Sequence, residues 1–175
     1  MAELTGDSQS LEERVQRLED TDSLRALWHS YMLLYDRGGA HEELGDMFAD
    51  DAIFEARGAD SGDRAWRGRD VIKREFFERV SPPRPADDDR VYSGHHGTTC
   101  EVEVSGDTAV LAGRFFELTG RGSGTLLAIG GTHTLRFRRA ASRWMIESFV
   151  LQITFCAQLD TVEPRTAFLG KPPAG

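Results

Sequence analysis

Several things are scarce in this 175-residue chain, and each scarcity removes a class of function. Positive charge is in deficit, with 21 Lys and Arg against 29 Asp and Glu and a formal net charge of −8. A surface of that sign suits neither nucleic acid, whose phosphates call for cations, nor an anionic membrane. Lysine is reduced to Lys73 and Lys171, a bias of composition that carries no mechanistic weight. The two cysteines, Cys100 and Cys156, are far apart and form no C-x-x-C, so neither a zinc site nor a redox pair is indicated. Free, buried thiols in a reducing cytoplasm fit better. No apolar run nears the roughly 20 residues of a membrane span, and residues 1–7 lack the basic and apolar regions of a signal peptide. The expectation is a soluble, cytoplasmic chain. Its 39% apolar and 29% charged composition is that of a folded globular domain rather than a disordered one.

What is present begins with helical periodicity. Residues 1–10 are small and polar and read as a disordered N-terminus. Leu11, Val15 and Leu18 open one helical pattern, and Thr21 or Asp22 offers an N-cap for a second, main helix. Leu24, Leu27, Trp28, Tyr31, Leu34 and Tyr35 give that helix one apolar stripe, and Gly38-Gly39 ends it. A short helix at 41–47, a strand at 52–56 and a helix at 70–80 follow. Three prolines and the run Asp87-Asp88-Asp89 make 81–90 a solvated loop.

Beyond Tyr92 the period drops to 2. Cys100, Val102 and Val104 alternate with Thr99, Glu101 and Glu103, and Ser105-Gly106-Asp107 forms a hairpin turn. Strands at 108–118, 126–139 and 143–155 follow, with a flexible loop at 120–124 and an irregular tail at 159–175. Helices followed by a meander of long strands define an α+β domain over 11–158, with the helices on one face of an antiparallel sheet.

Three residue types in this layout suggest acid–base chemistry. Asp36 sits at the C-terminal end of the main helix, where the negative pole of the helix dipole disfavours a carboxylate. Tyr31 places a phenol on the apolar stripe of the same helix. His95 and His96 enter the first long strand between Gly94 and Gly97. Strict alternation back from Val104 puts His96 on the apolar face and His95 on the other. Metal binding is disfavoured, because adjacent strand residues point to opposite faces and no H-E-x-x-H is present. Phe116, Leu118, Phe149, Leu151 and Phe155 read first as core that could merge into a pocket wall.

The ordered set of these features resembles the SnoaL-like branch of the nuclear-transport-factor-2-like superfamily, which includes scytalone dehydratase, polyketide cyclases and bile-acid 7α-dehydratase. The resemblance rests on the Tyr31…Asp36 spacing, on Asp46-Met-Phe-Ala-Asp-Asp-Ala-Ile-Phe, on Gly68-Arg-Asp-Val-Ile, on His95-His96 upstream of Val104-Ser-Gly-Asp-Thr-Ala, and on Arg143-Trp-Met-Ile-Glu. It implies a cone-shaped α+β barrel, a strongly curved antiparallel sheet enclosing a pocket. It also implies that Tyr31, Asp36 and His95 are catalytic. Family spacing thus favours His95 over His96, and a bulge at Gly94 or Gly97 would reconcile it with the alternation. His96, His133, Phe116, Leu118, Thr119, Phe149 and Gln152 are the expected substrate-binding residues.

The implied activity is that of a dehydratase, isomerase or cyclase without metal or organic cofactor, acting on a hydrophobic, carbonyl-bearing small molecule, as in natural-product biosynthesis. Thr119 and Gln152 stand where the bile-acid branch has an acid and an arginine, which points to an uncharged substrate. Two other readings stay open: a non-catalytic ligand-binding or assembly module, and an epoxide-hydrolase-like variant. A homo-oligomer, dimer or trimer, is expected from the family.

Overall fold

The computed structural model describes residues 10–58, 62–87, 90–121 and 125–159. The expected N-terminal disorder, the middle of the acid run, the heart of the 120–124 loop and the C-terminal tail fall outside those residues. Helix α1 (Leu11–Arg37) is one unbroken helix of 27 residues, not the two expected. Ser10 caps it, its hydroxyl accepting from the Glu13 backbone N–H while the Glu13 carboxylate accepts from Ser10 N–H. No break occurs at Thr21-Asp22 because Asp20 is pinned just before it. Arg139 donates to both Asp20 oxygens at 2.8 Å, and Trp144 Nε1 donates to one at 3.1 Å. Burial alone would raise the Asp20 carboxyl, but these hydrogen bonds outweigh it and hold the group below its ordinary range.

The stripe Leu24, Trp28, Tyr31 and Met32 is buried, whereas Leu11 and Leu18 on the first turns are exposed. Gly38 and Gly39, both at φ near +70°, take the chain out of the helix in a conformation open to glycine. Helix α2 (His41–Gly45) and strand β1 (Phe48–Arg57) follow, then the short edge strand β2 (Arg64–Arg67), which the sequence pattern does not reveal. The third helical segment, α3, runs as Arg69–Val71, a π-helical stretch Ile72–Phe77, and Glu78–Val80. The long strands are β3 (Arg90–Ser105), β4 (Thr108–Arg121), β5 (Leu126–Ala140) and β6 (Arg143–Leu159).

The six strands form one sheet in the order β2-β1-β6-β5-β4-β3, so β2 and β3 are edges and the sheet is not closed. The fold is α+β as expected, but the sheet is mixed: β1 runs parallel to β6. No hairpin joins those two strands, so their direction is free of the constraint that makes β3 to β6 antiparallel. No helix among the described residues is long and apolar enough to cross a membrane.

Trp28 organises the contact between α1 and the sheet. Its indole is fully buried and lies flat over Gly97 and Gly113, where an added Cβ would stand 2.8 and 2.7 Å from ring carbons. Its Nε1 donates to His133 Nδ1 at 3.0 Å. A ring clamped on two sides cannot move aside. Gly113→Ala is therefore expected to destabilise the protein by about 1–3 kcal/mol through overpacking. Urea melts check this; a variant as stable as the parent would show that the Trp28 contact is loose.

Candidate active site

A cavity of about 320 Å³ lies between α1, α3 and the sheet, at the small end of the roughly 300–1,000 Å³ usual for ligand pockets. Side chains from both helical segments and all six strands line it, so the open sheet bends around it.

Asp36 and His95 meet directly. One Asp36 oxygen faces His95 Nδ1 at 2.5 Å, and the other accepts the His95 backbone N–H at 2.7 Å. The last turn of α1 is fixed for this contact: Ser81 Oγ donates to the Tyr35 carbonyl at 2.7 Å, and Arg84 Nη2 to the Asp36 carbonyl at 2.6 Å. The carboxylate that the helix dipole disfavours thus has two donors facing it. The other ring nitrogen, Nε2, stands 3.5 Å from Glu117 Oε2. Glu117 is itself oriented by a relay, with Thr119 Oγ1 donating to it at 3.0 Å and lying 3.2 Å from Ser93 Oγ.

The register question at the histidine pair has a structural answer. Between the pairs Gly97↔Phe115 and Cys100↔Gly113, β3 advances three residues while β4 advances two. This bulge reverses the alternation, so His95 lines the cavity and His96 stacks on Phe116, ring centroids 4.7 Å apart, on the other face.

Tyr31 also lines the cavity, packed against Phe149 at 4.8 Å, Tyr35 at 6.2 Å and His133 at 6.0 Å. The phenol in contact with the His95 ring is Tyr35, edge-on at 4.9 Å. Burial, with the neighbouring Asp36 and Glu117 charges, raises both phenols above their ordinary range, so each is a proton donor near neutrality. His133 lines the cavity, stacked on Phe115 at 4.1 Å. Because indole N–H only donates, His133 Nδ1 is an acceptor and Nε2 carries the proton. Burial, with a smaller contribution from His95, pushes its pKa down to about 3.

Other expected contacts are absent. Phe116, Leu118, Gln152 and His96 do not line the cavity, because the inward set on β4 is Phe115 and Glu117 and on β6 Leu151 and Ile153. On β4 the difference is one residue, which exchanges the faces of a strand. Phe149 is fully buried behind Tyr31 and His133 rather than at the cavity surface. Thr119 reaches the site only through Glu117. Phe155, read as core, is half exposed and crosses over Gly130, and the adjacent Cys156, expected to be buried, is exposed, with Cys100 only half-buried.

Glu117, Tyr35, Trp66, Arg64 and Arg79 are among the lining residues that the sequence reading missed as site residues. Tyr35 was visible as the i+4 neighbour of Tyr31, and Glu117 as the cross-strand partner of His95 once the register is known. An acid on the strand after the hairpin is therefore present, two residues before Thr119.

The chain belongs to the SnoaL-like domain family, whose model matches residues 16–150. Solved structures show the same fold. A Novosphingobium aromaticivorans protein provisionally named a scytalone dehydratase has 16% identity and a TM-score of 0.65 over 84% of this chain and 95% of its own. The hexachlorocyclohexane dehydrochlorinase LinA-type3 from Novosphingobium barchaimii has 17% identity and a TM-score of 0.63, over 83% and 94%. An NTF2-like protein with a cystatin-like fold, also from N. aromaticivorans, has 21% identity and a TM-score of 0.61, over 86% and 92%. No curated protein sequence matches the chain.

Between pH 6.5 and about 3 the folded state keeps His133 neutral while the unfolded chain protonates it. That imidazole therefore favours folding fully above pH 6.5 and penalises it increasingly as the pH falls through the window. His133→Gln, which retains an acceptor for Trp28, should flatten the acid side of the stability curve. Urea melts against pH should show the parent losing up to about 1.4 kcal/mol per pH unit relative to the variant. Parallel curves would refute it.

Proposed function

We propose that this protein is an acid–base lyase or isomerase, of the dehydratase, isomerase or cyclase kind, that abstracts a proton next to a carbonyl in a hydrophobic small molecule. The observation that carries the reading is the double grip of Asp36 on His95, which fixes the imidazole with Nδ1 toward Asp36 and Nε2 toward the cavity and Glu117.

In this scheme His95 Nε2 takes the α-proton, and the C–H electron pair moves onto the carbonyl oxygen as an enolate. The imidazolium so formed lies between two carboxylates, Asp36 and Glu117, which stabilise it. A buried phenol, Tyr31 or Tyr35, donates a hydrogen bond to the enolate oxygen. The protonated His133 Nε2 is a second neutral donor on the same wall. Collapse of the enolate then expels a β-leaving group, returns the proton at another carbon, or attacks an internal carbonyl. These outcomes are elimination, isomerisation and ring closure.

The fold relatives support the elimination branch by name, one called a dehydratase and another a dehydrochlorinase. A non-catalytic module would give no reason for Asp36 and His95 to converge. An epoxide-hydrolase-like site would set two carboxylates and an arginine about one water, whereas Asp36 and Glu117 both face one imidazole.

The test needs no natural substrate. In D₂O the protein should speed deuterium exchange at the α-carbon of a cavity-sized ketone such as 2-tetralone, followed by NMR. His95→Ala should lower that rate roughly 10²–10⁴-fold, the usual worth of a positioned general base, and Asp36→Asn should lower it without unfolding the chain. Exchange no faster than in buffer, or equal in His95→Ala, would end the proposal.

A further inference from the structure

The cavity lining carries charges of both signs. Glu117 lines the cavity beside the buried His95 side chain, with Asp36 on the far side of the imidazole. Two further lining residues, Arg64 on edge strand β2 and Arg79 in the last turn of α3, are exposed, and their exposure puts them at the cavity mouth. Much of the remaining wall is apolar, with Trp66, Phe76, Phe115, Ile129, Leu151 and Ile153.

The nearby arginines are already engaged: Arg57 with Glu55, and Arg74 with Glu75 at 2.9 Å. Glu75 is the carboxylate that α3 adds to the lining, so that contact satisfies it. Among the described residues no carboxylate lies within ion-pair distance of Arg64 or Arg79. Two such cations at the mouth of a greasy cavity, in a chain of net charge −8, have an evident use. A neutral apolar ligand gains little from them. An anion placed deep in the cavity would meet Glu117 and Asp36 in an apolar surround, where like-charge repulsion is weakly screened. An anion at the mouth would meet two guanidinium forks suited to a carboxylate.

We propose that the substrate is an apolar molecule bearing one carboxylate, held at the cavity mouth by Arg64 and Arg79 so that its far end reaches His95. The proposal rests on the acid–base reading for what happens at that far end, but the carboxylate subsite is independent of it. It also reverses the expectation of an uncharged substrate drawn from Gln152: the cations come from β2 and α3, not from β6. The charge pattern sets direction as well as affinity, since an anion is attracted at the mouth and repelled at the base.

The probes are 4-phenylbutyrate and its neutral isostere 4-phenylbutanamide, with binding measured by calorimetry and by the fluorescence of Trp66 in the cavity wall. The carboxylate should bind at least about tenfold tighter at low salt, as charge-assisted Arg–carboxylate contacts imply, and the advantage should shrink as salt is added. The double variant Arg64→Gln/Arg79→Gln should lose the advantage and keep the amide affinity. Both residues are exposed, so circular dichroism should show an unchanged fold. His95→Ala should retain the preference for the carboxylate while losing α-proton exchange, which separates failure of the subsite from failure of the catalytic reading. Equal or tighter binding of the amide, an undiminished preference in the double variant, or no binding of either probe would overturn the proposal.

Discussion

The contact between Asp36 and His95 joins the end of the long helix to the edge of the sheet, and the rest of the site is arranged around it. A carboxylate at a helix C-terminus is electrostatically misplaced. Here the cost is offset by two donors from one strand residue, its backbone N–H and its ring. The same grip orients the imidazole against the Tyr35 ring and beside Glu117. The segment after α3 supports it from behind, with Ser81 and Arg84 taking the carbonyls of Tyr35 and Asp36. Loosening any of these would let α1 draw away from β3 and separate the pair.

A second constraint makes the first possible. Trp28 can lie between α1 and the sheet only because β3 and β4 present glycine beneath it, at Gly97 and Gly113. The bulge after Gly97 then turns His95 toward the same side as the indole. Close approach and bulge together convert a plain hairpin into a wall that carries an imidazole on its inner face. His133 completes it from β5: its Nδ1 holds the Trp28 indole, and this leaves the ring neutral and its remaining proton on the cavity wall.

Features governed by local chemistry were legible in the sequence. The apolar stripe from Leu24 to Tyr35, the stop at Gly38-Gly39 and the turn at Gly106 follow from propensities acting over a few residues. Tyr31, Asp36 and His95 could be singled out, though period alone turned His96 rather than His95 toward the cavity. What escaped depends on partners distant in the chain. The inward face of β4 is set by its register against β3 and by the space under Trp28, so Phe115 and Glu117 face inward although Phe116 and Leu118 are as apolar as core requires. Strand β2 is four residues with two arginines, below what periodicity can show. The parallel partnership of β1 and β6, and the arginine pair at the mouth, exist only after the sheet is assembled.

Base chemistry at this site depends on which nitrogen of His95 carries a proton. If Asp36 sets the tautomer, Nδ1 is protonated toward the carboxylate and Nε2 is the nitrogen left to take a proton in the cavity. Long-range ¹H–¹⁵N NMR of the imidazole rings reads this directly. The expected result is a protonated Nδ1 in His95, with the proton of His133 on Nε2. A bare Nδ1 in His95 would contradict it, because Asp36 would then be holding the ring without preparing it to act as a base.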